Sequence, residues 1–174
     1  MNEYQVKDEK GRDIFKKFCN QQQWCKHHKD SADEYASWDL SYYSGKTQMI
    51  GEIKYRTKYD GSAFEDWLLE IDKLVALKKI HKEVVAKGLN PLITYINHFN
   101  NNYTLIWDIT DLQLKDYKIF KKLLPRNDFD DTLVWKDVIY LPRHQAAFKG
   151  ETDKEFSIFK RDEDNYNDND NLPF

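Results

Sequence analysis

Asp39, Glu52 and Lys54 are the residues whose types and spacing could do chemistry. Asp39 falls in the alternating run Trp38-Asp39-Leu40-Ser41-Tyr42-Tyr43, and Glu52 and Lys54 fall in the run from Thr47 to Tyr55 that follows a Ser44-Gly45 turn. Two carboxylates brought together by the arms of one hairpin make a hard-oxygen site suited to Mg²⁺, with Mn²⁺ as a substitute, because Mg²⁺ binds through one or two carboxylates and keeps several waters. The Ile53 carbonyl between them can serve as a further oxygen ligand. Lys54 puts a cation within reach of a bound phosphate and of the water attacking it. Such a group stabilises developing negative charge, while a metal polarises the phosphoryl oxygen and acidifies a water. The chemistry this set serves is phosphodiester hydrolysis.

Period-two alternation places Ile50, Glu52 and Lys54 on one side of the second arm and Met49, Gly51, Ile53 and Tyr55 on the other. Both faces therefore carry apolar residues, which marks a central strand. A Glu and a Lys there are costly unless paired or metal-bound. The plain alternative is a charge pair across the strand surface, worth at most about 1 kcal/mol when exposed.

The elements that must position these residues follow from the same patterns. Ile14, Phe15, Phe18 and Cys19 predict an amphipathic helix over residues 9–22, and Trp24 to Lys29 a short strand. After the hairpin, Ser62-Ala63-Phe64-Glu65 reads as a capping box. An apolar stripe of Phe64, Trp67, Leu68, Ile71, Leu74, Val75 and Val84 then predicts a long helix closed by Gly88. Pro91 to Phe99 and Tyr103 to Ile109 read as a second hairpin around Asn100-Asn101-Asn102, where Asn tolerates the positive φ of a tight connection. Asp116 to Leu123 reads as a short helix, Thr132 to Leu141 as a strand, and Pro142 to Phe148 as a turn or short helix. No internal repeat is present. The expected class is α/β or α+β: helix, three-stranded meander, helix and further strands.

Trp38-Asp39 followed by Gly51-Glu52-Ile53-Lys54-Tyr55-Arg56 resembles the PD-(D/E)XK nuclease superfamily, over roughly residues 9–108. Ala36-Ser37-Trp38 stands where many members carry Pro before the Asp. The resemblance implies a restriction-endonuclease-like core with the Asp in the second strand of the meander and the E-x-K in the third. Asp39 and Glu52 would then be metal ligands, with Ile53 between them, and Lys54 the catalytic lysine. It also implies an acid from the first helix, for which Glu9 and Asp13 are the candidates, and polar residues from the second, Glu70 or Lys73. The implied activity is Mg²⁺-dependent cutting of DNA in replication, recombination or repair. The alternative is a non-catalytic DNA-binding or adaptor protein of the same fold.

Composition supports a folded body. Apolar residues make up 40% of the 174 and aromatics 15%, against 33% charged, too much apolar surface for a disordered chain. The net charge of −3 divides unevenly: Glu151 to Phe174 holds eight acids against three bases, which leaves a mildly basic body over residues 1–150. Residues 151–174, rich in Asn and Asp, read as a solvated, disordered tail. Its end, Leu172-Pro173-Phe174 after Asn- and Asp-rich sequence, resembles the tip of bacterial single-stranded-DNA-binding proteins. That resemblance implies a terminal Phe docking on replication or repair proteins.

Lys54, Tyr55, Arg56 and Lys58, joined by Lys73, are the candidate DNA contacts, mixing cations with an aromatic ring. Lys78, Lys79, Lys82 and Lys87, and later Lys118, Lys121, Lys122 and Arg126, read first as solvated faces. The adjacent His27 and His28 would point to opposite sides of a strand and share no site. Cys19 and Cys25, six apart, suggest neither a disulfide framework nor a zinc site. No apolar run is long enough to cross a bilayer and no secretory leader is evident, so the expectation is a cytoplasmic protein of a bacterial cell or phage-infected host, without membrane contact. Motifs for ATP, dinucleotide or serine-hydrolase chemistry are missing.

Overall fold

The computed structural model describes residues 3–31, 38–127 and 130–151. The tail and its Leu172, Pro173 and Phe174 lie outside the described residues. The chain runs α1 (Glu3–Gln21), β1 (Cys25–Asp30), β2 (Leu40–Ser44), β3 (Thr47–Arg56), β4 (Asp66–Glu70), α2 (Ile71–Val85), β5 (Leu92–Phe99), β6 (Tyr103–Asp108), β7 (Phe120–Asn127), β8 (Asp130–Pro142) and β9 (Phe148–Glu151). The fold is α+β, and helix, three-stranded meander, helix and strand pair follow in the order the resemblance implies.

Six strands form one mixed sheet in the order β1-β2-β3-β5-β6-β9, in which only β3 and β5 run parallel. That parallel step requires a crossover, which α2 supplies. The β2–β3 hairpin pairs Ser44 with Thr47 around a two-residue turn, where Gly45 takes a φ of 58°, open to glycine without strain. Asn102 takes a φ of 60° in the β5–β6 connection, as its residue type predicts.

The period of two in β3 sorts its side chains between two cores. Met49 and Ile53 pack with Phe15, Phe18 and Tyr42 under α1, whereas Ile50 packs with Leu74, Leu77, Trp67 and Leu69 on the opposite face. Gly11 lets α1 lie close on β3, since a Cβ there would stand 3.1 Å from Ile53 Cγ2. Glu52 and Lys54 therefore face α2 and the second sheet, while Tyr55 lies on the α1 side with Lys10 Nζ 5.2 Å from its ring centre.

Three expectations are corrected. The long helix does not begin at Ser62: residues 66–70 form β4, and α2 starts at Ile71. Trp67, Leu68 and Ile71 fit a helical stripe, but Trp67 and Leu69 also alternate, and both are buried by antiparallel pairing with Leu141 and Ile139 of β8. The short helix at Asp116–Leu123 is only one 3₁₀ turn, Leu114–Asp116, and Phe120 onward pairs with β8. The three strands β4-β8-β7 thereby make a second sheet. Finally, Cys19 and Cys25 are joined by a disulfide, Cα atoms 4.7 Å apart, because the turn after α1 folds β1 back on the helix end, with the Cys25 N–H donating to the Gln22 carbonyl at 3.0 Å. Among the described residues no helix is long and apolar enough to cross a membrane.

Candidate active site

Asp39 stands one residue ahead of β2 and is held at both backbone ends. Its N–H donates to the Gly51 carbonyl at 2.9 Å, and its carbonyl accepts the Ser31 N–H at 2.8 Å. Its carboxylate turns toward β3, where Oδ2 accepts the Ile53 N–H at 2.6 Å. The N–H and C=O of one strand residue point to the same edge, so the Ile53 carbonyl also lies on the Asp39 side rather than in the β5 ladder.

Glu52 is 1% exposed, with Lys54 Nζ 3.2 Å and Lys73 Nζ 3.0 Å from its Oε1. Lys73 comes from the first turn and a half of α2, which the β4–β8 pairing aims at β3. Neither Glu52 oxygen receives a directed hydrogen bond among the described residues, although both are buried. The two ammonium groups thus offset its charge at ion-pair distance and leave lone pairs unsatisfied, an uncommon state for a buried carboxylate. Burial, and then the charge of Glu52, push the Asp39 carboxyl up to about 7, against the pull of Lys54 and the Ile53 amide. Two neighbouring buried acids, an unsatisfied pair of carboxylate oxygens on Glu52 and a carbonyl on the same edge form a donor set that fits a hard divalent cation. Among the described residues no group of three or more His, Cys, Asp or Glu assembles, so Asp39 and Glu52 are the side-chain ligands on offer.

Lys54 and Lys73 also line a cleft of about 220 Å³, together with Arg56, Glu70, Tyr95 and Lys136. Glu52 sits behind the two lysines. Arg56 is a wall residue held by the protein: Nε donates to Asn97 Oδ1 at 3.0 Å, and Nη2 to Tyr95 Oη at 2.9 Å and to the Leu68 carbonyl at 3.4 Å. Tyr95 Oη in turn donates to the Leu68 carbonyl at 2.9 Å. Glu70 meets Lys136 of the neighbouring strand β8 at 2.8 Å, along the sheet that lines the cleft.

The other sequence candidates fall elsewhere. Asp13 is largely exposed and pairs with Lys16 at 3.9 Å, and Glu9 is exposed. The first helix sends a cation instead, with Arg12 Nη2 3.7 Å from Asp39 Oδ1. Lys58 is exposed in the turn after β3, and Tyr55 faces α1. His27 meets Asp30 at 2.8 Å while His28 packs edge-on against Tyr43, so the two rings have separate partners. Sequence reasoning missed Arg12, Tyr95 and Lys136. Only the position of Arg12 beside a helix glycine offered a local signal.

No family model and no curated protein matches the chain. A solved structure similar to it is Hjc, a Holliday junction resolvase from the archaeal hyperthermophile Archaeoglobus fulgidus: TM-score 0.42, 10% identity, covering 83% of this chain and 95% of that one.

Proposed function

We propose that the chain is a divalent-metal-dependent deoxyribonuclease that hydrolyses phosphodiester bonds in DNA recombination, replication or repair. What carries the reading is the gathering of the Asp39 and Glu52 carboxylates with the Lys54 and Lys73 amines, the two lysines lining one cation-rich cleft. Asp39, Glu52 and the Ile53 carbonyl would hold Mg²⁺ or Mn²⁺. The ion supplies charge to polarise the phosphoryl oxygen and to acidify a water.

The chain's own groups do the rest. Lys54 and Lys73 leave Glu52 for the scissile phosphate, where an ammonium group offsets the negative charge that grows in the transition state. The Ile53 amide keeps Asp39 aimed at the same point. Arg56 and Tyr95, bonded to each other and to Leu68, form a fixed wall against which the lysines move. The terminal Leu172-Pro173-Phe174 is proposed, on its sequence alone, as the segment that docks replication or repair proteins.

One observation favours the rival reading, a non-catalytic DNA-binding or adaptor protein. Two ammonium groups already approach the single oxygen Glu52 Oε1, and Glu52 is out of solvent contact. The test is incubation of the purified protein and of Lys54→Ala and Glu52→Gln with single-stranded, duplex, flapped and four-way DNA, with Mg²⁺, with Mn²⁺ and with chelator. Metal-dependent cutting lost in both variants is the expected result. Binding of these substrates without any cutting overturns the nuclease and leaves the adaptor.

A further inference from the structure

The β7–β8 ribbon shows two opposite charge patterns at adjacent rungs. On one face Lys121 is paired with Asp137, both exposed, with Nζ 3.2 Å from Oδ1. At the next rung, on the other face, Lys122 stands directly opposite Lys136. Like charges directly across an antiparallel pair are destabilising, whereas opposite charges favour pairing. The same two strands thus balance charge on one face and gather cations on the other.

The Lys122–Lys136 face belongs to the cleft, because Lys136 and Leu124 line it together with Lys54 and Lys73. Lys136 is engaged with Glu70, and Lys122 is exposed with its Nζ 5.9 Å from the Tyr140 ring centre. Tyr140 packs edge-on against Phe120 at 5.3 Å, and Lys118 Nζ lies 5.1 Å from the Phe120 ring centre. Two cations resting on two rings therefore continue the wall outward from Lys136. Aromatic faces hold such ammonium groups in place without neutralising them.

We infer that this face of the β7–β8 ribbon is a second DNA-binding surface, in which Lys122, supported by Lys118 and Lys136, contacts phosphodiester groups of the strand leaving the cleft. The inference rests on the nuclease reading for the course of the DNA. A polyanion laid along this face meets Lys122, whose cross-strand neighbour Lys136 is already paired with Glu70, and releases counterions, which gives affinity without base specificity. The lysines that read in sequence as solvated faces are divided by strand register: Lys121 pairs with Asp137 on one face, and Lys122 lies on the other, with the cleft.

The test compares the full-length protein with Lys122→Ala and Lys121→Ala, by fluorescence anisotropy on a labelled duplex and a labelled four-way junction in EDTA across a salt series. Lys122→Ala is expected to make the slope of log affinity against log salt shallower by about 0.9, one phosphate contact on duplex DNA. Lys121→Ala is expected to leave it unchanged. Equal slopes for all three proteins, or equal shifts in both variants, overturn the ribbon surface. Cutting in Mg²⁺ is scored separately. Cutting with a slope indifferent to Lys122 sinks the ribbon and spares the nuclease, while a Lys122-dependent slope without cutting does the reverse.

Discussion

The Ile53 amide donates to the Asp39 carboxylate at 2.6 Å across fourteen residues of sequence, so the strand that carries Glu52 and Lys54 also aims the other acid. The hydrogen bond favours ionised Asp39, while burial and Glu52 oppose ionisation and prevail. Between the ordinary value of 3.8 and about 7, the metal-free folded protein holds a proton that the unfolded chain has released. Its stability should therefore fall as pH rises through that window. Thermal unfolding of metal-free protein between about pH 5 and pH 8 should show the loss, and Asp39→Asn should flatten it. Mg²⁺ should raise the melting temperature most at the alkaline end, where Asp39 is ready to ionise. An identical pH slope in Asp39→Asn would remove Asp39 as its source.

Lys54 and Lys73 converge on one oxygen of Glu52, so their contributions to rate should not be independent. Lys54→Ala is expected to lower cutting by about 10²- to 10³-fold, the usual loss when one group that stabilises transition-state charge is removed. Lys73→Ala should cost less, and the double variant should depart from the product of the two single losses, as groups sharing a partner do. Single-turnover rates at saturating protein separate this from weaker DNA binding. A strictly multiplicative double variant speaks against a shared site.

Arg56 reads in sequence as a DNA contact, yet it donates to Asn97, Tyr95 and Leu68. Arg56→Ala removes donors from partly buried acceptors, which costs about 1–3 kcal/mol per unsatisfied group. The variant should melt several degrees lower by calorimetry, and Arg56→Lys should recover little because an ammonium cannot span the fork. If Arg56→Ala keeps its melting temperature and loses only DNA affinity, the guanidinium faces DNA.

His98 is fully buried in the described core, with Nδ1 2.7 Å from Thr104 Oγ1, and burial drives its pKa down to about 3. The unfolded chain binds a proton on this ring below its ordinary 6.5, and the folded protein does so only near 3. Stability from His98 is thus present above 6.5 and lost as pH falls. This trend runs opposite to that of Asp39. NMR titration of the ring should show His98 neutral at about pH 5, where an unperturbed imidazole is protonated. A protonated His98 at that pH would mean that the core admits water there.

The β2–β3 hairpin was legible in the sequence because everything that fixes it is local. A Ser44-Gly45 turn sets the register, and a period of two sets the faces, so Glu52 and Lys54 on one side of the second arm followed from spacing alone, whereas Asp39, expected within the first arm, stands one residue ahead of it. The same local signals misread residues 62–70 and 116–123. Trp67, Leu68 and Ile71 satisfy a helical stripe, and only pairing with β8, some seventy residues later in the chain, decides for strand. Local propensity yields wherever long-range burial offers more.

Only the tertiary structure decided which cations meet the acids of the site and its cleft: Lys73 at Glu52, Arg12 at Asp39 and Lys136 at Glu70. Lys73 arrives because β4 ends where α2 must start, Arg12 because Gly11 lets the first helix settle on β3, and Lys136 because a second sheet, invisible to local pattern, folds across the cleft. Charge is the reason that this matters. The behaviour of a carboxylate depends on the fields of all groups within several ångströms, however distant in sequence, whereas a turn or a strand face depends on its immediate neighbours in the chain.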